Sequence, residues 1–247
     1  MIFRQFLHEQ PVTAASYLLG CVGHGVAAIV DPELPADEYR RAAESLAVRI
    51  VLVIDTHVHA DHLSTGPELA AAVGAPYVLD EHAGAHYAFL AVRDGQRLTL
   101  GNVELEVLHT PGHTPEHLSL LVIDRTRGPE PWALLTGHTL MVGDLGRTEL
   151  ATDAASGARA LFATARRLRQ LPDHVEVWPG AFAGSVCGRA LSGKPSSTIG
   201  FERRFNRVFA IEDEGAFVRS MLERIPAPPP DAELTRRRNL GLVDVLA

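Results

Sequence analysis

Three imidazoles and a carboxylate fall within six positions at His57-Val58-His59-Ala60-Asp61-His62. They follow the apolar run Ile50-Val51-Leu52-Val53-Ile54. A buried strand that gives out into a histidine-rich loop suits a transition-metal site. In extended backbone, residues two apart project to the same side, so His57 and His59 can grip one cation together. Asp61 and His62 lie one turn further on and can face a second position. Two later stretches add donors. Thr110-Pro111-Gly112-His113 follows a strand, and its Pro-Gly pair forces a tight turn that can aim His113 inward. Leu134-Leu135-Thr136-Gly137-His138 again puts a histidine at the end of an apolar strand. The candidate metal ligands are therefore His57, His59, His113 and His138, with Asp61 and His62 as candidate catalytic groups beside the ion. His138 has a second reading, a buried histidine hydrogen-bonded to backbone. His117 opens the next strand and reads as structural. His8, His24, His82, His86, His109 and His174 lack partners at ligand spacing and read as surface or loop residues.

Strands must carry these loops. Short apolar runs at Ala15–Cys21 and Gly25–Val30 read as strands, Arg49–Ile54 as a buried one. Pro76–Leu79, Leu118–Ile123, Trp132–Leu135 and Val175–Trp178 read likewise, and Arg97–Leu100 with Val103–His109 as a hairpin around Gly101-Asn102. Helices are expected over Pro35–Ala47, Ser64–Val73 (Leu63 and Leu69 inward), Asp153–Leu171, Phe201–Val208 and Glu212–Arg224. Between Trp178 and about Gly200 the sequence is loop-rich. The proline run from Pro226 to Pro230 breaks the last helix, and a polar, arginine-rich tail follows. Strands and then a helix, twice over, suit two packed sheets with helices outside.

Composition narrows the function classes. The 247 residues are 46% hydrophobic, enough for one large domain or two small ones. A formal net charge of -7 argues against a non-specific nucleic-acid binder. Lys194 is the only lysine, and Cys21 and Cys187 are too few for a disulfide scaffold. The N-terminus lacks the layout of a signal peptide. No apolar run approaches the ~20 residues of a membrane span. A soluble cytoplasmic protein is the expectation.

The His-x-His-x-Asp-His run, with Thr110-Pro111-Gly112-His113-Thr114 and Gly143-Asp144-Leu145-Gly146-Arg147-Thr148-Glu149-Leu150, resembles the metallo-β-lactamase superfamily. Nearest is its persulfide dioxygenase and glyoxalase II branch. Gly184-Ser185-Val186-Cys187-Gly188 and the stretch from Lys194 to Asn206 look like bacterial persulfide dioxygenases, including those fused to rhodanese domains, although no rhodanese domain is present. The resemblance covers nearly the whole chain, 1–247, as a single α/β domain with C-terminal helices and tail from about 201. It implies an αββα sandwich with the metal site at one edge of the two sheets. Two positions depart from the pattern. Where the family has an aspartate ligand, bridging when two metals bind, this chain has His138. Where the family has a histidine after the last Pro-Gly, serving the second metal, this chain has Ala181. Losing both weakens the second site.

Persulfide dioxygenases resemble the two-His-one-carboxylate iron pattern, which leaves positions open for oxygen and substrate. The resemblance thus implies a metalloenzyme with one ion, iron(II) first and zinc second. The leading reading is an oxygenase of a small thiol or persulfide. The alternatives are a mononuclear zinc hydrolase of thioesters or lactones, and a catalytically impaired metal-binding homologue. Arg147, Arg189 and Lys194 are candidates to hold a carboxylated substrate, with solvated surface charge as the other reading. Cys187 is either a thiol on the substrate side or a small packing residue. Enzymes of this branch often pair, so a homodimer is the implied assembly.

Overall fold

Alternation along each strand sets the layers of this computed structural model, which describes residues 1–243 apart from 11, 224 and 226. Strands β1 (Ile2–His8), β2 (Ala14–Cys21), β3 (Val26–Val30), β4 (Arg49–Ile54), β5 (Tyr77–Asp80) and β6 (Leu90–Val92) form one sheet in that order. Next come β7 (Arg97–Leu100), β8 (Val103–His109), β9 (Leu118–Asp124), β10 (Ala133–Gly137), β11 (Leu140–Met141), β12 (Asp144–Leu145), β13 (Glu176–Pro179) and β14 (Ser197–Thr198). β11 and β12 pair as a short ribbon, and the others form a second sheet in the order β14-β13-β10-β9-β8-β7. Tyr17, Leu19, Ala28, Val30 and Ile54 point between the sheets and meet Leu105, Val107, Leu120 and Leu135. Their neighbours Leu18, Ala27, Ile29 and Val53 face outward. This period of two gives each sheet two apolar faces, so both need a helical cover.

Helices α1 (Ala36–Ser45) and α2 (Gly66–Val73) cover the first sheet, with Tyr39 and Leu69 packed on its outer face. Helices α3 (Ala154–Leu168), α4 (Ile199–Phe205) and α5 (Glu214–Leu222) cover the second through Leu161, Ile199 and Phe217. On α3 the buried Ala158, Leu161, Phe162, Ala165 and Leu168 form a single stripe at helical spacing. Asp153 caps its start by accepting from the Ala155 and Ser156 amides. The implied αββα sandwich is therefore the observed architecture.

Strand direction gathers the loops. β3, β4 and β5 run parallel, and β8 and β10 each run antiparallel to β9 between them. The C-terminal ends of β3, β4, β8 and β10 consequently share one rim. Hydrogen bonds lace the sheets there: Leu118 N donates to Thr56 O and Ala15 N to Gly180 O, both at 2.8 Å.

Several elements differ from the sequence reading. Leu63 is 38% exposed rather than inward, because α2 starts only at Gly66. β1 was not expected: as a half-buried edge strand with Arg4 and Gln5 inside it, it lacks a clear alternation. The polar tail contains α6 (Ala232–Asn239), none of whose residues is buried. Arg224, Pro226 and the last residues of the tail, 244–247, lie outside the described residues.

Candidate metal centre

The chain leaves β4 through Asp55 and Thr56, both buried. Asp31, just past β3, accepts from Thr56 N at 2.7 Å and Thr56 Oγ1 at 3.0 Å. The Thr56 hydroxyl in turn meets His57 Nδ1 at 3.0 Å. His113 Nδ1 donates to Arg147 O at 2.8 Å. In both rings the Nδ1 edge is thus anchored and the other nitrogen is left facing inward, as metal-ligating histidines are commonly held. Gly137 has φ +48°, and a Cβ there would stand 2.4 Å from Thr56 Oγ1 and 2.6 Å from His117 Nε2. Only glycine lets β10 come down this closely and deliver His138. His117 forms the floor: Nδ1 faces the Thr110 and Thr139 hydroxyls at 2.9 and 3.0 Å, and Nε2 accepts from His138 N at 3.1 Å. That satisfied network makes His117 structural.

Two groups of donors result. One nitrogen each from His57, His113 and His138 lies within 4.8 Å of the others. His59, Asp61 and His62 form a second group within the same limit. Three of the four expected ligands thus converge, while His59 turns its donor toward Asp61, His62 and the carboxylates of Asp31 and Asp55, although its ring centroid is only 4.2 Å from that of His57. His57 Nε2, His138 Nδ1, His62 Nε2 and both nitrogens of His59 are buried without a hydrogen-bond partner. Each such group costs about 1–3 kcal/mol unless something satisfies it. A borderline cation would do so for the neutral His57 and His138 lone pairs, and a set of imidazoles fits zinc, iron, copper or nickel and not calcium or magnesium.

The groups differ in charge. Burial, reinforced by neighbouring imidazoles, holds His57 well below its usual value and brings His113 down to about 3. Burial also lowers His138, against the pull of Asp61. These are neutral donors. At His59 burial also pushes down, but Asp31, Asp55 and Asp61 together outweigh it and lift the group to about 9. Asp61 resists the upward push of burial because His62 and other imidazoles hold it well below the usual carboxylate range. Cys187 donates its thiol to Asp61 Oδ2 at 3.2 Å, beside His138, and burial raises that thiol well above its usual value.

The cationic candidates part company. Arg147 is buried, pairs with Glu149, and donates to Val186 O and Ala227 O. Arg189 holds the Asp144 carboxylate and Ser220 O. Both guanidiniums bond internal partners that fold the 184–191 segment onto the chain around β12. Lys194 instead lines a cavity of about 460 Å³ with Trp178, Phe201, Glu202, Phe205 and Asn206.

Sequence reasoning missed the groups that hold the His57–His62 loop. Arg236 of α6 donates to Val58 O at 2.8 Å and to both oxygens of Glu116, at 3.0 and 3.1 Å. Glu116 Oε1 also accepts from Val58 N. Asn239 donates to His59 O and His62 O, both at 2.8 Å. Glu33 lies 3.3 Å from His62 Nδ1 and 3.0 Å from His8 Nε2, so the His8 ring is largely buried rather than on the surface. His82 and His109, also read as isolated, stack at 5.2 Å. For Asp31 alone was there a signal, its place right after an apolar strand. The others depend on chain segments more than 100 residues apart, or on a different strand.

Comparison with known proteins agrees with this geometry. Residues 10–180 match the family model of the metallo-β-lactamase superfamily. A hydroxyacylglutathione hydrolase of Polaromonas sp. is 35% identical over 169 residues, 67% of this chain and 60% of that relative's length. The mitochondrial persulfide dioxygenase ETHE1 of Bos taurus is 26% identical over 93% of this chain and 84% of its own. Among solved structures, a metallo-β-lactamase from Staphylococcus aureus superposes with a TM-score of 0.90 at 32% identity, over 97% of this chain and 72% of that one. ETHE1 from Myxococcus xanthus gives 0.83 at 29% identity, over 98% and 99%. No helix among the described residues is long and apolar enough to cross a membrane. With its sandwich, its rim of imidazoles and these matches, the chain belongs to the metallo-β-lactamase superfamily.

Proposed function

We propose that this chain is a mononuclear metalloenzyme that oxygenates the sulfur of a small thiol or persulfide, with iron as its ion. One observation carries the choice. The bovine persulfide dioxygenase matches 93% of the chain and the Myxococcus xanthus ETHE1 structure 98% (the human dioxygenase matches 57%), whereas the hydroxyacylglutathione hydrolases match 66–81% of it. His57, His113 and His138 would hold the ion, and a turn of the His59 side chain would add a fourth nitrogen. A redox-active ion in that place supplies one-electron chemistry and open coordination positions. The chain's own groups do the rest. Asp61 is an ionised carboxylate beside His138, with its Oδ1 3.0 Å from His62 Nδ1. It would hold an arriving thiol by accepting its hydrogen bond, as it accepts that of Cys187. Lys194 would offer a positive charge to a carboxylated substrate from a cavity whose lining includes none of the metal-site histidines.

The test is oxygen uptake with glutathione persulfide on iron-loaded protein. Uptake that disappears in His113→Ala supports the oxygenase. No uptake with the iron site filled overturns it. The 35% identity to the Polaromonas hydrolase favours a second reading, a zinc hydrolase of thioesters. There the ion would lower the pKa of water to ~7. Hydrolysis of an acylglutathione by the zinc form, abolished by His57→Ala, would establish it. Stoichiometric metal that accepts neither azide nor a thiol would instead identify an impaired homologue.

A further inference from the structure

We propose a second, separate transition-metal site on the same rim, built by Asp80, His82 and His109. One donor atom from each residue lies within 4.8 Å of the others. Asp80 ends β5 in the first sheet, and His109 ends β8 in the second. An ion here would bridge the two sheets. The Asp80 carboxylate is fully buried, yet its Oδ2 has no hydrogen-bond partner. Its Oδ1 accepts from His82 N at 2.9 Å and meets His82 Nδ1 at 2.7 Å. This turn fixes the carboxylate and brings His82 back over it. A buried carboxylate oxygen with no protein partner is costly, and a cation would satisfy it.

His109 is prepared in the same sense. Its Nε2 donates to Pro115 O at 2.8 Å, which leaves Nδ1 with a free lone pair. Its backbone N is anchored on Asp94, whose carboxylate also holds Arg167. The His82 and His109 rings lie 5.2 Å apart at 25°. Donors around a zinc-sized ion stand about 3–3.5 Å apart, given bonds of about 2.0–2.1 Å. The set must therefore close slightly. His82, 59% exposed, can swing without disturbing the core. Two imidazoles and a carboxylate select a zinc-class divalent ion over calcium or magnesium. Water would complete the shell. Because His109 precedes the Thr110–His113 turn and braces Pro115, an ion here would stiffen the turn that carries His113.

The experiment needs the principal centre occupied first. Protein carrying its own ion is dialysed against rising Zn2+, and metal per chain is counted by elemental analysis. Wild type should bind one Zn2+ more per chain than His82→Ala and than His109→Gln. Co2+ used in place of zinc should give a d–d absorption that both variants lack. His113→Ala should keep this extra ion, which separates failure here from failure of the proposed enzyme site. The exposed position of His82 makes its variant a safe folder. Equal stoichiometry in wild type and His82→Ala, or cobalt spectra that do not change, would overturn the proposal.

Discussion

Two donor groups stand side by side on the rim, and they are unlike. His57, His113 and His138 are buried imidazoles kept neutral by their surroundings. His59, Asp61 and His62 sit among carboxylates, where His59 is charged and Asp61 ionised. The first group is prepared for a cation by neutral lone pairs. The second already balances charge internally, and Ala181, buried at 1%, stands where the resemblance implies a histidine for a second ion. The difference teaches why one ion is expected rather than two. A neutral trio gains from metal without losing an ion pair, whereas a cation entering the second group must displace the proton of His59 and compete with His62 for Asp61.

The sharpest way to break this comparison is to remove a ligand from the trio. His113→Ala should lower metal affinity by more than ~100-fold, beyond the usual cost of losing a supporting residue. Dialysis followed by elemental analysis reads this directly. An unchanged ion content would show that the second group is the true site. Rebuilding the second group tests the same contrast from the other side. His138→Asp with Ala181→His should raise the ion content from one toward two per chain, while Ala181→His alone should do less.

Loop support comes next in size. Arg236→Ala strands Glu116, 2% exposed, without its guanidinium. Losing one partner of such a pair costs about 3 kcal/mol. Metal affinity should drop by roughly 10–100-fold through the loosened His57–His62 loop. Denaturant titration and metal competition measure the two effects. Arg236→Lys should recover only part, because the bidentate contact is lost.

The contrast also shows in pH. In chelated protein His113 is lowered to about 3 and His57 and His138 are also lowered, so below about 6.5 the unfolded chain binds more protons. Stability should therefore fall as pH drops from 6.5 toward 3. His59 is raised to about 9, so its contribution is complete below 6.5 and lost as pH rises through 9. Metal-free protein should be most stable near pH 6.5. His59→Gln should flatten the alkaline limb and leave the acid limb intact. Chemical unfolding across pH checks both limbs, and identical curves would erase the contrast between the groups.

Much of the architecture was readable because strands with clear alternation or a β-branched run, such as Arg49–Ile54 and the 97–109 hairpin, carry their own signal. β1 and α6 were not, since each takes its form from a partner: β1 from its seven-residue pairing with β2, and α6 from the contacts of Arg236 and Asn239. At the site, spacing pointed to the right histidines. It could not assign them to groups, because His57 and His59 share a side of an extended segment only if the backbone stays extended, and past β4 it turns. Charge told even less: Arg147 and Arg189 read as free cations and are internal struts. The acids that set His59 apart, Asp31 and Asp55, reach it through strand order alone.

The most direct test is to count and identify the ion in protein from unsupplemented cells, and to read its shell by X-ray absorption. A mononuclear centre on the imidazole trio requires about one transition-metal ion per chain, with a shell dominated by histidine nitrogen. Two ions per chain bridged by a carboxylate, or no ion under any loading condition, would contradict it.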